Sequence, residues 1–531
     1  MTAPSTTAGR AREEQKAPSG RARWLLVAVI VDLIAAAWYF CWLLSPSQIG
    51  TRWLYVVLVA VELFNLVQAV GLWWTVRPRR DRQWWSVDQA APRWFGAPPP
   101  IDVLIPTYDE AIEVVEPTIR AALAVGGARV NVCLLDDGNR PAMASLAARC
   151  GVRYVSRPMR DGAKAGNLNY ALRGLSAPFV AVFDCDHVPT PDFFAATLGY
   201  FHVPAVAYVQ TPQSYANRFA SRVAAAAAAQ QDFFYGPVAR GRDRARAMFC
   251  CGTNVIFRRA AIDDIGGFPE DSLTEDFKLS IRLAERNWQS AYVPAILAEG
   301  LGPEDMNSYV TQQARWAQGC IGQIPRILFG RLPLRLRGQY LLAASSFLAG
   351  LTTFVYLTLP LLRIFDGIQP IQHGAAGAFL VHFLPYFAAS MLTISIASDG
   401  AYTFGAYSLG LSCFWVHIVA VARCVTFRRT RFRVTPKRGS KGLQIQAVLP
   451  ALVMTAALAV AVVYELGTHH GPVAFTTVAY ALVWIVVLLC GSWDALAIGR
   501  TRQRAGDDPH GFSGWLLSVI TSLRPSTNEV H

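Results

Sequence analysis

No two of the ten cysteines in this 531-residue chain stand at the C-x-x-C spacing of a zinc or redox site. Cys250 and Cys251 are merely adjacent, and scattered thiols of this kind read as free side chains in a reducing cytosol. Glycine-rich phosphate loops are missing too. No Gly-x-Gly-x-x-Gly follows the first strand-like run and no Walker sequence occurs, which argues against a dinucleotide or P-loop site. A cleavable leader is not expected, because residues 1–23 are polar and the first apolar run is longer than a signal-peptide core, so that run should stay as an anchor. Acidic residues are outnumbered, 36 against 49 basic ones, for a formal charge of +13. Such a surplus suits nucleic acid or acidic lipid, and its placement decides between them. Arginines crowd beside apolar segments (Arg77, Arg79, Arg80 and Arg82; Arg428, Arg429 and Arg431), which reads as membrane topology, and no nucleic-acid partner is expected.

What the chain has in abundance is apolar sequence: 53% hydrophobic residues and a mean hydropathy of +0.29, high for a soluble enzyme of this size. A hydrocarbon core of ~30 Å needs roughly 20 helical residues, and apolar runs of that order lie near 24–44, 53–76, 340–363, 375–396, 444–465 and 474–497. A further stretch at 403–424 is ambiguous. Reading it as an interfacial helix leaves about six spans and puts every strongly basic segment (10–23, 77–82, 426–441 and 500–504) on one side, the cytosolic one. The expected order is a cytosolic basic tail (1–23), spans 1 and 2 (24–76), a cytosolic domain (77–304) and interfacial helices (305–338). Spans 3 and 4 (339–398), an interfacial helix (399–425), a basic loop (426–443), spans 5 and 6 (444–497) and a cytosolic tail (498–531) follow. Asp32 and Glu62 fall inside the first two spans, where a lipid-facing carboxylate costs several kcal/mol. They are expected to face the bundle interior, either as a polar wall for a sugar chain or as a joint between helices.

Between residues 98 and 330 short β-rich runs alternate with helical ones. Strands are expected at Ile101–Pro106, Val130–Leu135, Val152–Val155, Phe179–Phe183 and Ala205–Val209, with helices such as 110–124, 163–174 and 219–235 between them. That alternation implies an α/β domain with a mainly parallel sheet covered on both faces, in which ligands bind at the carboxyl ends of the strands. Those ends carry Thr107-Tyr108-Asp109-Glu110, Asp136-Asp137, Asp184-Cys185-Asp186 and Gln210. Strand alternation puts Asp184 and Asp186 on the same side, where an oxygen-seeking cation could bridge them to phosphate, although acidic pairs at strand ends also serve as caps. Lys164 stands near a helix start, Thr274-Glu275-Asp276 opens another helical run, and Gln312-Gln313-Ala314-Arg315-Trp316 follows at the end of the domain.

The ordered set IPTYDE, LLDDG, KAGNLN, FDCDHVPTPDF, VQTPQ, FCCGTN, TEDFKLS and QQARW covers nearly the whole domain. It resembles the family-2 glycosyltransferases, specifically the bacterial cellulose synthase catalytic subunits and their cellulose-synthase-like relatives. The resemblance implies a GT-A type α/β domain inserted in the transmembrane bundle of an inner or plasma membrane. It places Tyr108, Glu110 and Asp136 on the uridine of the donor, with Thr107 and Gln210 beside them, Lys164 near the diphosphate, and Asp184 and Asp186 on Mg2+ or Mn2+. Asp276, next to Glu275, matches the general base. Gln312 and Arg315 correspond to diphosphate contacts, Trp316 to the platform under the terminal acceptor sugar, and Cys251 and Gly252 to the lining of the acceptor channel. The chemistry agrees with that resemblance: a base on the face opposite the leaving UDP inverts an α-linked donor to a β-linked product, and Asp276 at a helix start is expected to stay ionised. Arg315 offers a fork of donors to phosphate oxygens.

Phe432-Arg433-Val434-Thr435-Pro436-Lys437 resembles the F-x-V-T-x-K gating loop of cellulose synthases, which implies that Thr435 and Lys437 approach the donor diphosphate. Its alternative is a basic loop on acidic lipid headgroups. The short 498–531 tail departs from the classical bacterial pattern of a following PilZ domain, so direct activation by cyclic di-GMP is not expected. The reading is a processive, inverting transferase that builds a β-1,4-glucan from UDP-glucose and threads it through its own helices, with the bilayer, the growing glucan and accessory export proteins as partners. Rival readings keep the fold but make a β-1,3 or mixed-linkage glucan or a GlcNAc polymer, transfer a single sugar to a lipid phosphate, or leave a non-catalytic membrane scaffold.

Overall fold

The computed structural model describes residues 19–78, 99–372, 376–426, 444–468 and 472–496. The chain enters through two long apolar helices, α1 (Ser19–Leu43) and α2 (Arg52–Val76), and then builds the α/β domain. In order this comprises β1 (Pro100–Thr107), α3 (Ile112–Ala124), β2 (Arg129–Asp136), α4 (Pro141–Cys150), β3 (Arg153–Val155), α5 (Ala163–Leu172), β4 (Phe179–Val182), β5 (Val188–Pro189), β6 (Val206–Gln210) and β7 (Ser214–Tyr215). Helices α6 (Arg222–Phe233) and α7 (Ala239–Arg244), strand β8 (Val255–Arg258), helix α8 (Glu275–Glu285) and strands β9 (Gln289–Tyr292) and β10 (Ala298–Gly300) complete it.

Seven strands form one sheet in the order β3-β2-β1-β4-β8-β6-β9, and β5-β10-β7 form a small second sheet. Within the large sheet β1–β2, β1–β4, β2–β3 and β6–β9 pair parallel, while β8 runs antiparallel to both β4 and β6. Side chains alternate along each strand, so successive residues of β1 feed two different cores. Ile101, Val103 and Ile105 pack with Val115 and Ile119 of α3 and Leu146 of α4. Leu104 turns to the other face with Leu168 of α5 and Leu279 of α8. Both faces are thus covered by helices, as the uninterrupted apolar runs require.

Beyond the domain come α9 (Met306–Ile321), α10 (Leu334–Ser345), α11 (Ala349–Asp366), α12 (Ala376–Ala397), α13 (Phe404–Ser412), α14 (Phe414–Val425), α15 (Ile445–Thr468) and α16 (Pro472–Leu496). Six described helices are long and apolar enough to span a membrane: Arg21–Leu43, Arg52–Val76, Leu334–Asp366, Gly377–Ala397, Ile445–Thr468 and Phe475–Leu496. The third starts earlier than the apolar run at 340–363 suggests, because α10 carries its arginines into the same continuous path. The ambiguous 403–424 stretch is two helices bent by 43° at Cys413. At 1.5 Å per residue neither half alone crosses a hydrocarbon core.

The loops that follow the first and third spans meet. Ile49 pairs with Ile371 in an antiparallel bridge, and Gly50 N–H donates to the Pro370 carbonyl (3.0 Å). Asp32 accepts hydrogen bonds from Trp73 Nε1 (2.6 Å) and Ser390 Oγ (2.7 Å), and Glu62 accepts one from Tyr356 O–H (2.9 Å). Both carboxyls are buried and tie spans together, which favours the helix-joint reading over the polar wall.

Candidate active site

The register of β1 on β2 sets Thr107 directly beside Asp136, so the ends of two neighbouring strands form one edge of the cleft. Arg140 is the keystone there. Its guanidinium donates to Thr107 Oγ1 (2.9 Å), the Glu110 carbonyl (2.6 Å) and Asp136 Oδ1 (3.2 Å), and its backbone N–H donates to Asp136 Oδ2 (2.6 Å). Gly138 N–H and Tyr154 O–H also donate to the Asp136 carboxylate. Asp136 is fully buried and therefore holds the turn that shapes this edge. Glu110 accepts from Thr107 Oγ1 and Tyr108 N–H (2.8 Å each), which leaves the Tyr108 ring as the exposed surface of the group. Arg160 lies over that ring, 5.6 Å from its centroid. Below the edge Arg157 grips Asp137 with two bonds (2.6 and 2.8 Å) in a buried ion pair.

The acidic pair converges by a different route from strand alternation. Strand β4 ends at Val182, and the chain then turns, with His187 N–H donating to the Asp184 carbonyl (2.9 Å). The turn brings donor atoms of Asp184, Asp186 and His187 within 4.8 Å of one another. The Lys164 ammonium, carried on the first turn of α5, donates to Asp184 Oδ1 (2.5 Å) and the Gly252 carbonyl (2.8 Å). Burial alone would weaken its hold on the proton, but Asp184 and Glu275 outweigh that and its pKa is net raised.

Asp276 sits across the same gap. A Cβ on Gly252 would lie 3.1 Å from Asp276 Oδ2 and 3.6 Å from Lys164 Nζ, and Gly252 has φ +82, a conformation that favours glycine. Expected at a helix start to stay ionised, Asp276 is corrected here: burial first, and the Glu275 carboxylate second, push it up to about 7, against the opposing pull of the Phe277 N–H, Lys164 and Arg315. Part of the residue still meets solvent, but its carboxyl lies deep in the cleft, where burial outweighs the helix terminus. Nor is it the helix cap: Thr274 holds that position, and Asp276 Oδ1 accepts from Phe277 N–H (2.7 Å).

Helix α9 closes this side. A Cβ on Gly319 would lie 2.4 Å from Thr274 Oγ1, so glycine there lets α9 settle against the residue preceding Glu275. Arg315 lies one turn earlier on that face and acts electrostatically on Asp276. Gln312, Arg315 and Trp316 are all part-buried on this helix. Gln210, expected beside the donor, is wholly buried instead. Its Nε2 donates to the Thr211 and Thr253 carbonyls (2.9 and 2.8 Å) and its Oε1 accepts from Cys251 N–H (2.9 Å), so it fixes segment 251–253 from behind. Thr435 and Lys437 lie outside the described residues.

Two carboxylates from a D-x-D suit an oxygen-seeking cation such as Mg2+, and the adjacent imidazole is compatible with Mn2+. Asp184 is partly open, Asp186 is buried, and among the described residues His187 Nε2 has no hydrogen-bond partner. The donor set fits a divalent metal.

Comparison with known proteins agrees with this geometry. The domain family described as glycosyl transferase family group 2 matches residues 179–398. Cellulose synthase 2 of Novacetimonas hansenii is 32% identical over 504 residues, 90% of this chain but 31% of that protein. The UDP-forming cellulose synthase catalytic subunit of Pseudomonas fluorescens is 31% identical over 521 residues, 93% of this chain and 69% of that protein. The chain belongs to the cellulose synthase family of family-2 glycosyltransferases. It spans about a third of the length of the first of these relatives. A solved mannosyltransferase from Pyrobaculum calidifontis, in complex with GDP-mannose and Mn2+, shares the fold with a TM-score of 0.50 at 18% identity, covering 71% of this chain and 100% of that one. With six helices of spanning length among its described residues, this cellulose synthase family member is a multi-pass membrane protein built on a GT-A-like domain.

Two residues of the site were not singled out from sequence. Arg140 and His187 sit just after motifs that were, at the end of LLDDGNR and inside FDCDHVP. Their only sequence signal is that position, since a cation three residues past an acidic pair is a surface residue more often than a keystone.

Proposed function

We propose that this chain is a processive, inverting glycosyltransferase that polymerises UDP-glucose into a β-1,4-glucan and passes the product through its spans. The catalytic domain and both termini are assigned to the cytosolic face of the inner or plasma membrane, where the basic segments gather. The observation that carries the reading is the single gap shared by Asp184, Lys164, Gly252 and Asp276. A base, a cation and a metal-competent carboxylate meet there beside the segment that leads to the acceptor.

In this mechanism Tyr108, held by the Thr107–Glu110–Arg140 network, supports the uracil ring, while Lys164 and Arg315 contact the diphosphate. A divalent cation on Asp184 and Asp186, with His187 beside them, would neutralise the charge of the leaving UDP. Trp316 offers its apolar face to the terminal sugar of the acceptor. Asp276, ionised, takes the proton from the acceptor hydroxyl as its oxygen attacks the anomeric carbon from the side opposite UDP. One glycosidic C–O bond forms, the bond to UDP breaks, and the configuration inverts from α to β. Thr435 and Lys437 are proposed to close over the donor.

Purified full-length protein given UDP-glucose and Mg2+ is expected to release UDP and form a polymer that a β-1,4-glucanase digests. Absence of UDP release with any UDP-sugar would overturn the reading. A polymer resistant to that enzyme would transfer it to a β-1,3, mixed-linkage or GlcNAc product, and a single-sugar lipid product would remove processivity.

A further inference from the structure

Of the two aspartates in LLDDG, Asp136 is spent on the turn at the cleft edge, and Asp137 beside it goes to a different partner, the buried Arg157. The Arg157 guanidinium donates to both Asp137 oxygens (2.6 and 2.8 Å), to the Asp161 carbonyl (2.5 Å) and to the Ala163 carbonyl (2.8 Å). One planar fork thus joins the end of β2 to the loop that leads into α5. A lysine ammonium, a point charge, cannot reproduce that set of bonds.

The loop needs holding. Gly162 and Ala163 are consecutive residues at positive φ, +74 and +47, and the second carries a Cβ, for which the left-handed region is unfavourable. Lys164 is the next residue. A Cβ on Gly166 would lie 2.1 Å from the Asp161 carbonyl oxygen and 2.5 Å from Arg157 Nη1, so glycine there lets the first turn of α5 sit directly on the clamp. Asn167 Nδ2 adds a second tie, to the Leu135 carbonyl of β2 (3.0 Å).

The other end of the same segment rests on the edge proposed for the nucleotide. Ser156 Oγ meets Asn139 Oδ1 (3.1 Å), Arg160 Nη2 donates to the Gly138 carbonyl (3.4 Å), and the Arg160 guanidinium lies over the Tyr108 ring. Residues 156–163 therefore run from the edge that carries Tyr108 to Lys164, whose ammonium reaches Asp184 and the Gly252 carbonyl. Arg157 fastens the two ends of that path to one carboxylate.

We infer that Arg157 sets the spacing between the nucleoside end and the diphosphate end of the donor site, by holding the left-handed turn that aims Lys164 at a fixed distance from the Asp136 edge. This rests on the donor contacts proposed above. It makes Arg157 a positioning residue that favours a nucleoside diphosphate over the monophosphate without touching either.

The test compares full-length wild type, Arg157→Lys, Lys164→Met and the double variant in the same lipid at saturating Mg2+, with UDP and UMP affinities measured by calorimetry. Arg157→Lys keeps a cation opposite Asp137 but loses the bonds to the two carbonyls. It is expected to weaken UDP about tenfold and UMP by about twofold at most, and to do no further harm in the Lys164→Met background. Adding Ala163→Gly to Arg157→Lys should restore part of the UDP affinity, since glycine takes the turn unaided. Unchanged UDP affinity in folded Arg157→Lys overturns the inference. So do equal losses for UDP and UMP, the mark of a purely structural pair, losses that add in the double variant, or no recovery with glycine. Should Arg157→Lys fail to fold, Asp137→Asn, which loosens the same clamp from its other side, is read by the same ratio, and failure of both to fold overturns the inference as well. A wild type that binds no UDP would sink the donor site itself, an outcome distinct from Arg157→Lys matching a wild type that binds it.

Discussion

The acid limb of the pH–rate profile is the most direct consequence of how Asp276 is held. Its carboxyl is pushed from an ordinary 3.8 up to about 7, and only the ionised form can take the acceptor proton. Ionisation changes tenfold per pH unit well below the pKa, so kcat/KM should fall to about a tenth of its plateau at pH 6 and to about a hundredth at pH 5. Glu275 is the second-largest cause of the shift, so Glu275→Gln should slide the limb to lower pH and retain more of its own plateau at pH 6. UDP release at subsaturating UDP-glucose and constant ionic strength reads both profiles, with Asp276→Asn as the inactive control that still binds UDP. The stability sign runs opposite to activity. A carboxyl whose folded pKa is raised stabilises the fold below its unfolded value, and that contribution is lost as pH rises through about 7. Asp276→Asn should therefore be at least as thermally stable as wild type at pH 8. A wild-type profile flat from pH 5 to pH 8, or an acid limb unmoved in Glu275→Gln, would refute the argument that burial and Glu275 set the base.

Three other outcomes follow from the geometry. Asp186→Ala should abolish most of the Mg2+ or Mn2+ dependence of UDP binding, and a titration with unchanged metal dependence would remove Asp186 from the metal set. Arg140→Gln breaks the guanidinium bonds to Asp136, Glu110 and Thr107. It should weaken UDP binding about tenfold with the primer KM unchanged, as read by calorimetry. Arg157→Met leaves Asp137 buried without its partner, the two side chains being 5% and 10% exposed. It should destabilise the domain by ~3–5 kcal/mol, seen as a large drop in thermal midpoint.

The parallel strands were legible because a run such as Val180-Ala181-Val182-Phe183 is apolar on both faces, which only a doubly covered sheet explains. Strand direction was not: nothing in Val255-Ile256-Phe257-Arg258 says that β8 must run against its neighbours. Residue types at the cleft were legible from their order, but their exposure was not. Gln210 and Asp136 have the chemistry of ligand contacts, yet both are consumed by backbone turns inside the protein. The reason is that a short polar side chain at a strand end satisfies the local backbone first wherever a tight turn follows. Asp276 shows the converse, since its helix position predicts an easily ionised carboxylate and only the tertiary burial around it reverses that.

The division of labour within the cleft follows from which backbone each side chain holds. Segment 250–253 is gripped from four sides. Ser280 Oγ accepts from Cys250 N–H (2.7 Å), Gln210 holds Cys251, Lys164 holds the Gly252 carbonyl, and Thr253 Oγ1 accepts from Asp184 N–H (2.8 Å). Helix α8, the large sheet, Lys164 and Asp184 are thereby pinned to one four-residue stretch. The cleft edge proposed for the nucleotide is built separately, around Arg140 and the turn at Asp136, and shares none of these bonds. In the proposed mechanism, perturbing segment 250–253 disturbs metal, base and acceptor together, because each is located by the others. Perturbing the Arg140 network can change donor affinity alone. Under the proposed function, that separation would let the enzyme release UDP and take up a new donor at one edge while the acceptor stays fixed against the other.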